Sequence, residues 1–269
     1  MWPLTFLDVV ILALIQGIGE VLPVSASGHL AVLRLTLGTP EGREAVAVAA
    51  DLGIVAGLML YFWRDMIVMA VGLWKLLKRR PDAGSRLLLT VAAGTVPGLL
   101  VAWAFVELGG TVGGPMAAAA AMVVFGLFLL IADKLGMTVS RIEHMGFLAA
   151  AAIGVLQAAA LVAGVSRTGI TVTAGRLMGY ERAAIARYSL LLAIPVFAVH
   201  AGHTLMDLAG RAPLILSADL ALAGAAACVG ALLSVAAMMA WVDRNSYAPF
   251  AVWRILFGAG ALAWLVWKG

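Results

Sequence analysis

Five runs of this chain pass almost without charge: Ala45 to Trp63, Leu87 to Val106, Met116 to Ala132, Tyr188 to Leu208 and Leu214 to Val242. Each approaches or exceeds the ~20 residues that an α-helix needs to cross hydrocarbon. Such a succession cannot be kept in water. The fold it permits is an all-α polytopic integral membrane protein, because only helices and closed barrels satisfy every backbone polar group in lipid. Composition agrees: 64% of the 269 residues are hydrophobic, against roughly 45–50% in soluble domains.

The remaining pieces are shorter. Leu4 to Ile18 is apolar except for Asp8 and Gln16, and is short for a full span. It lacks a basic leading region, so it is not read as a cleavable signal peptide. Met66 to Leu77 is another short apolar piece, and Ala251 to Trp267 closes the chain. The most basic turn, Lys75 to Arg86, carries Lys75, Lys78, Arg79, Arg80 and Arg86, which places it in the cytoplasm. Asp133 to His144 is a polar connection. We read residues 1–269 as a single membrane domain with two halves, about 1–133 and 145–269. The only cysteine, Cys228, excludes internal disulfides and cysteine-based metal sites. The net charge of +4 lies in turns rather than in a stripe with interleaved aromatics, so no nucleic-acid partner is expected.

Gln16 to His29 reads QGIGEVLPVSASGH. It puts Glu20, Ser25, Ser27 and His29 within ten residues, with two glycines and a proline expected to break any regular helix. Irregular backbone at membrane depth persists only where it is buried in protein or lines a wet cavity. Ionisable groups at that depth default to a functional reading.

A second stretch, Gln157 to Gly169, reads QAAALVAGVSRTG. Laid on Gln16 to Gly28 without a gap, it matches Gln16 with Gln157, Val21 with Val162, Val24 with Val165, Ser25 with Ser166 and Gly28 with Gly169. Ser27 meets Thr168, another hydroxyl. The polar matches carry the weight, since polar residues are scarce here. Paired broken segments in two halves point to an inverted repeat with a binding site at the repeat interface. Val21 to Leu37 and Gly164 to Met178 are accordingly read as two re-entrant hairpins.

Several of these residues have a bland reading as well. Glu20 fits a proton-linked site, a metal or general-base carboxylate, or a buried structural acid. His29 fits an acid or base, a phosphorylated intermediate, or a partner for Glu20. Ser25, Ser27, Ser166 and Thr168 fit caps on broken helices, or an anion cradle completed by free backbone N–H groups. Arg167, between two hydroxyls and flanked by Gly164 and Gly169, suits a forked grip on phosphate; its bland reading is a snorkelling arginine. Asp51 supports the site or pairs with an arginine. His200 and His203 share a helix face and read as structural. Arg176, Arg182 and Arg187 mark an interface, with Arg176 near enough to the second loop to assist anion binding. One acid, one histidine, several hydroxyls and one arginine inside a membrane suit an anionic, phosphorylated, lipid-soluble substrate. The arrangement fits phosphoryl hydrolysis, and transport of an anion nearly as well.

At these residues the sequence resembles the undecaprenyl-diphosphate phosphatases, also called bacitracin-resistance proteins. Gln16 to His29 is similar to the family motif (E/Q)GxxEFLPxSSxGH, and Ala163 to Gly169 (AGVSRTG) resembles its PGxSRSG. Motif spacing, size and the LLAIP run at Leu191 to Pro195 also resemble the family, so the likeness covers essentially the whole chain.

The resemblance implies a multi-pass hydrolase of the bacterial cytoplasmic membrane. It would remove one phosphate from undecaprenyl diphosphate on the outer, periplasmic face and so recycle the lipid carrier for peptidoglycan synthesis. It implies an inverted-repeat fold with two re-entrant hairpins and dependence on a divalent cation, Mg²⁺ or Ca²⁺. Carried over by position, Glu20 is the essential acid and metal ligand. His29 is the motif histidine, Ser27 a catalytic hydroxyl, and Ser166 with Arg167 the pair that grips diphosphate. Ser25, Thr168, Gly28, Gly169 and Gln16 join in substrate binding. The expected partners are the polyprenyl diphosphate and the membrane, with a homodimer left open.

Four positions bear on the chemistry that the pattern implies. Gln16 stands where an acid is one of two options. Ala26 stands where many members carry a serine assigned to catalysis. Ala163 replaces the motif proline, and Thr168 its last serine. Three accounts stay open at Ala26: His29 or a neighbouring serine takes the role, water attacks directly, or this member binds lipid phosphate without cleaving it. A transporter or flippase of anionic lipid on the same fold is the competing class.

Overall fold

The computed structural model describes residues 5–37, 43–110, 113–138, 140, 142–211 and 217–268. Among them are eleven α-helices: α1 (Phe6–Val21), α2 (Ala26–Leu37), α3 (Arg43–Tyr61), α4 (Trp63–Leu77), α5 (Ala83–Glu107), α6 (Pro115–Leu135), α7 (Phe147–Gln157), α8 (Arg167–Leu177), α9 (Arg182–Arg211), α10 (Ala218–Val242) and α11 (Ala248–Lys268). The described residues contain no strand, only one isolated bridge between Ser140 and Tyr180. The all-helical membrane architecture expected from the sequence is therefore the one observed.

Six helices, α3, α5, α6, α9, α10 and α11, are long and apolar enough to cross a bilayer. Their outward faces carry large apolar side chains such as Leu100, Trp103, Phe128 and Leu256, as a lipid solvent allows. Helix α4 begins three residues before the apolar piece read from the sequence. Lys78 lies over the Trp74 ring at 4.4 Å and Arg64 over Trp63 at 5.2 Å, cation–aromatic pairs suited to the headgroup region. The basic turn after α4 is well capped. Asp82 accepts from Lys75 Nζ (2.8 Å) and from the Ser85 N–H (2.9 Å). Its carboxyl is pushed down to about 2, chiefly by the hydrogen bond from Lys75.

Five of the described helices are too short to span, α4 among them with 15 residues. α1 has 16 residues, α2 has 12, and α7 and α8 have 11 each. At ~1.5 Å per residue the longest reaches ~24 Å, against hydrocarbon of ~30 Å. α1 and α2 are joined by Leu22–Ser25. α7 passes through a 3-10 turn, Ala158–Leu161, into the loop that starts α8. The first break thus falls later than the glycines suggest, because α1 runs helically through Gly17 and Gly19. Those glycines are contact points. A methyl on Gly17 would meet the Ala227 backbone of α10, and one on Gly19 would meet Ala26 at 2.8 Å. The chain leaves the helix at Leu22, which is extended ahead of Pro23, as a residue before proline prefers.

Small residues set the helix spacing elsewhere, as in other membrane bundles. Gly154 of α7 lies directly against the Gly94 carbonyl of α5, where a Cβ would overlap backbone. Gly154→Ala is expected to destabilise the protein by about 1–3 kcal/mol, the usual cost of overpacking. Gly260→Ala, which meets nothing within 4 Å, should leave the thermal midpoint in detergent unchanged. Equal midpoints for the two variants would contradict this account of the α5–α7 seam.

Candidate functional site

The two motifs adopt the same local conformation at the positions that the ungapped alignment pairs. Ser25 has φ 72° and Ser166 has φ 66°. The Ser25 hydroxyl accepts the Gly28 N–H (3.3 Å) at the start of α2, and the Ser166 hydroxyl accepts the Gly169 N–H (3.1 Å) at the start of α8. A left-handed backbone at a residue with a side chain costs about 1–3 kcal/mol and persists where the surroundings over-determine it, often at functional sites. Among the described residues Arg79 is the only other non-glycine of this kind.

The hydroxyl two residues after each serine reaches into the opposite motif. Ser27 Oγ accepts the Gly164 N–H (3.2 Å), and Thr168 Oγ1 donates to the Glu20 carbonyl (2.7 Å). The two loops are thereby tied tip to tip, 137 and 148 residues apart in sequence. The helices that carry them are four of the five that are too short to span.

Glu20 sits one residue before the end of α1 and is partly exposed. Its carboxylate accepts no hydrogen bond from the described residues, while Arg167 and Asp51 lie close enough to act on its charge. Arg167 opens α8 and is only 6% exposed, which removes the snorkelling reading. Nη1 donates to the Ser189 carbonyl (3.1 Å) and Nη2 to Thr168 Oγ1 (3.3 Å). The guanidinium lies 4.9 Å from the centre of the Phe197 ring, and Nε has no partner. The arginine is held from α9 and stays under-satisfied, beside a helix N-terminus that favours negative charge.

Gln16 does not face that junction with an acid's chemistry. Its Nε2 donates to Asp51 Oδ1 (2.6 Å) and to the Ala47 carbonyl (3.2 Å). The other Asp51 oxygen lies 2.8 Å from His200 Nδ1. Asp51 therefore pairs with a histidine and an amide, not with an arginine, and His200 is occupied there and not in a two-histidine site with His203.

His29 pairs with neither Glu20 nor another acid. Its Nδ1 lies 2.8 Å from the Ser25 carbonyl, and Nε2 accepts from the Trp253 indole N–H at 3.0 Å. Phe257 packs on the imidazole, with ring centres 4.1 Å apart. Ala26, where the motif offers serine, is 1% exposed with its methyl against Gly19. Ser27 is the more open hydroxyl of the loop.

Arg176 corrects an expectation. It is 1% exposed, pairs with Asp133 (3.3 Å to Nε) and donates to the Gly136 and Tyr180 carbonyls. Those bonds tie α8 to α6 and to the turn before α9, and leave it no part in an anion site. Arg182 shares Asp133 (2.6 Å), and Arg187 pairs with Asp65.

Two residues that the sequence does not assign to the site stand at the junction, both on α11: Trp253, which reads from the sequence as part of an interfacial aromatic belt, and Arg254. Besides Trp253, the fully buried Arg254 donates through Nη2 to the carbonyls of Gly164 (2.9 Å) and Val165 (2.7 Å). An arginine inside an apolar closing run is itself a signal of function, and it points to this helix.

The fit of a divalent cation follows from the donor set. No group of three or more His, Cys, Asp or Glu among the described residues forms a metal cluster. A hard cation of the Mg²⁺ kind needs only one or two carboxylates when substrate phosphates supply further oxygens. The free Glu20 carboxylate beside the α8 N-terminus meets that requirement.

The chain is similar to known proteins over nearly its whole length. The family model described as bacitracin resistance protein BacA matches residues 9–260. A protein of Paramagnetospirillum magneticum named undecaprenyl-diphosphatase 1 is 51% identical over 266 residues, covering 99% of each chain. One of the same name from Rhodospirillum rubrum is 43% identical, covering 96% of this chain and 94% of its own. An undecaprenyl-diphosphatase of Maricaulis maris is 36% identical over 98% of this chain and all of its own. Both interlocked loops fall within the matched span, and the chain belongs to the bacitracin resistance protein BacA family.

Proposed function

We propose that this protein hydrolyses undecaprenyl diphosphate, or a close polyprenyl relative, to the monophosphate and inorganic phosphate. The observation that carries the reading is the interlocking of the two broken loops. It brings the unpaired Glu20 carboxylate, the Ser27 hydroxyl and the buried Arg167 to one junction at the start of α8. The reading extends to an inverted repeat of the two halves, with α1–α2 and α7–α8 as re-entrant hairpins entering from opposite sides. The shared Ser25 and Ser166 geometry supports it. The protein then sits in the cytoplasmic membrane with its site open to the periplasm, where a carrier that has delivered its cargo is left as the diphosphate.

In this mechanism Arg167, Ser166, Thr168 and the N–H groups around Gly28 and Gly169 hold the diphosphate and oppose the charge that develops on the departing phosphoryl oxygens. Glu20 is the carboxylate that would hold a divalent cation, which when bound would supply positive charge to the diphosphate. Ser27 orients the attacking group, and His29 takes or returns a proton at Nε2. Gln16 keeps Asp51 engaged behind Glu20. The prenyl tail lies along the apolar helix faces, open to lipid.

Purified full-length protein should release phosphate from a short-chain polyprenyl diphosphate, lose that activity in EDTA and regain it with Mg²⁺. Glu20→Gln should lower kcat by about 10²–10³-fold, the scale of losing one preorganised electrostatic group. Folded protein that binds the lipid but releases no phosphate, yet moves it between the leaflets of sealed vesicles, would contradict the hydrolase reading.

A further inference from the structure

Trp253 and Arg254 are consecutive on α11, and each touches a different loop of the junction. Arg254 holds the carbonyls of Gly164 and Val165 in the second loop. Trp253 holds His29, just behind the first loop, through its indole N–H. Arg254 is fully buried while Trp253 is 52% exposed. One helix therefore carries a fixed anchor and, beside it, a side chain free to turn outward without unpacking the core.

The chemistry of the Trp253 contact is one-sided. An indole N–H only donates, so His29 Nε2 must present its lone pair. The imidazole proton then stands on Nδ1, where the Ser25 carbonyl at 2.8 Å is an acceptor. Both contacts suit the Nδ1–H tautomer, and the Trp253 contact alone excludes a proton on Nε2. Ring packing restrains the imidazole further: Phe257 lies at 4.1 Å, and Trp253 is near-parallel at 6.1 Å with 9° between planes. In histidine sites, the hydrogen bond on one nitrogen decides which state the other presents.

We infer that Trp253 is the positioning residue of His29: its indole N–H, acting with the Ser25 carbonyl, holds the Nδ1–H tautomer and reserves Nε2 as the nitrogen that meets a proton donor in the loaded site. The inference rests on the hydrolase reading only for its effect on turnover. The tautomer itself belongs to the resting protein.

Histidine-labelled full-length protein in detergent tests this by nitrogen NMR at about pH 8, above the ordinary imidazole range. The His29 signal is identified by its loss in His29→Gln. Wild type should show His29 in the Nδ1–H form alone. Trp253→Phe keeps a ring and removes the donor, leaves the Ser25 carbonyl alone to favour Nδ1–H, and should show a minor share of the Nε2–H form beside it. Its kcat should fall about tenfold, the scale of one hydrogen bond, with KM within about twofold. In a His29→Gln background Trp253→Phe should cost nothing more, as coupled residues do. An unchanged tautomer in Trp253→Phe would overturn the inference, and so would the same loss persisting without His29. The NMR result needs no turnover, so a protein inactive toward diphosphates would fail the functional reading while leaving this one decided.

Discussion

Arg167→Ala is expected to lower kcat/KM for phosphate release by about 10³-fold, a loss of about 4 kcal/mol in transition-state stabilisation. The guanidinium is buried, faces Phe197 at 4.9 Å and is steadied by the Ser189 carbonyl. It is therefore oriented before substrate arrives, and its unpartnered Nε leaves capacity for an anion. Arg167→Lys keeps a charge but loses the planar fork, and should recover only part of the activity, remaining at least about tenfold below wild type. The fold has an independent tie between the same loops, from Thr168 to the Glu20 carbonyl and from Gly164 to Ser27. Both variants should consequently keep a near-native thermal midpoint. Full activity in Arg167→Lys would show that a point charge suffices.

The largest effect on stability is expected at the other end of the bundle. Asp133 is 2% exposed and serves Arg176, Arg182 and the Tyr247 N–H together. It joins α6 to α8, to the start of α9 and to the turn before α11. Asp133→Ala would leave Arg176, 1% exposed, as an uncompensated buried cation. Removing one partner of such a pair costs about 3–5 kcal/mol. Thermal unfolding in detergent should show a fall of many degrees, with early aggregation. Removing both charges in Asp133→Leu/Arg176→Met should recover much of that loss, since an apolar replacement of a buried pair is often near neutral. A midpoint in Asp133→Ala equal to wild type would contradict this role.

Much of this was legible in the sequence because lipid leaves few alternatives. Long uncharged runs can only be helices, and α3, α5, α6, α9 and α10 fall where those runs lie. The ungapped match of Gln16–Gly28 with Gln157–Gly169 pairs the same atoms that the structure does, since Ser25 and Ser166 each accept the backbone N–H of the glycine three residues on. The glycines of the first motif misled, because Gly17 and Gly19 serve close packing and leave the helix intact. Arg176 misled for a different reason. Its distance from Arg167 in sequence is short, but its partner Asp133 lies 43 residues back at the end of α6. The parts of α11 were least legible. Trp253 meets His29 across 224 residues, and no local pattern links an aromatic in one helix to an imidazole in another.

The central claim is that the two motifs form one site acting on one diphosphate. A double-mutant cycle on phosphate release with Glu20→Gln and Arg167→Ala tests it most directly. Groups that act on the same transition state are strongly non-additive. The double variant should be about as slow as the slower single variant, with both proteins folded. Losses that multiply in full would mean that Glu20 and Arg167 act independently, and would contradict a shared site at the junction of the two loops.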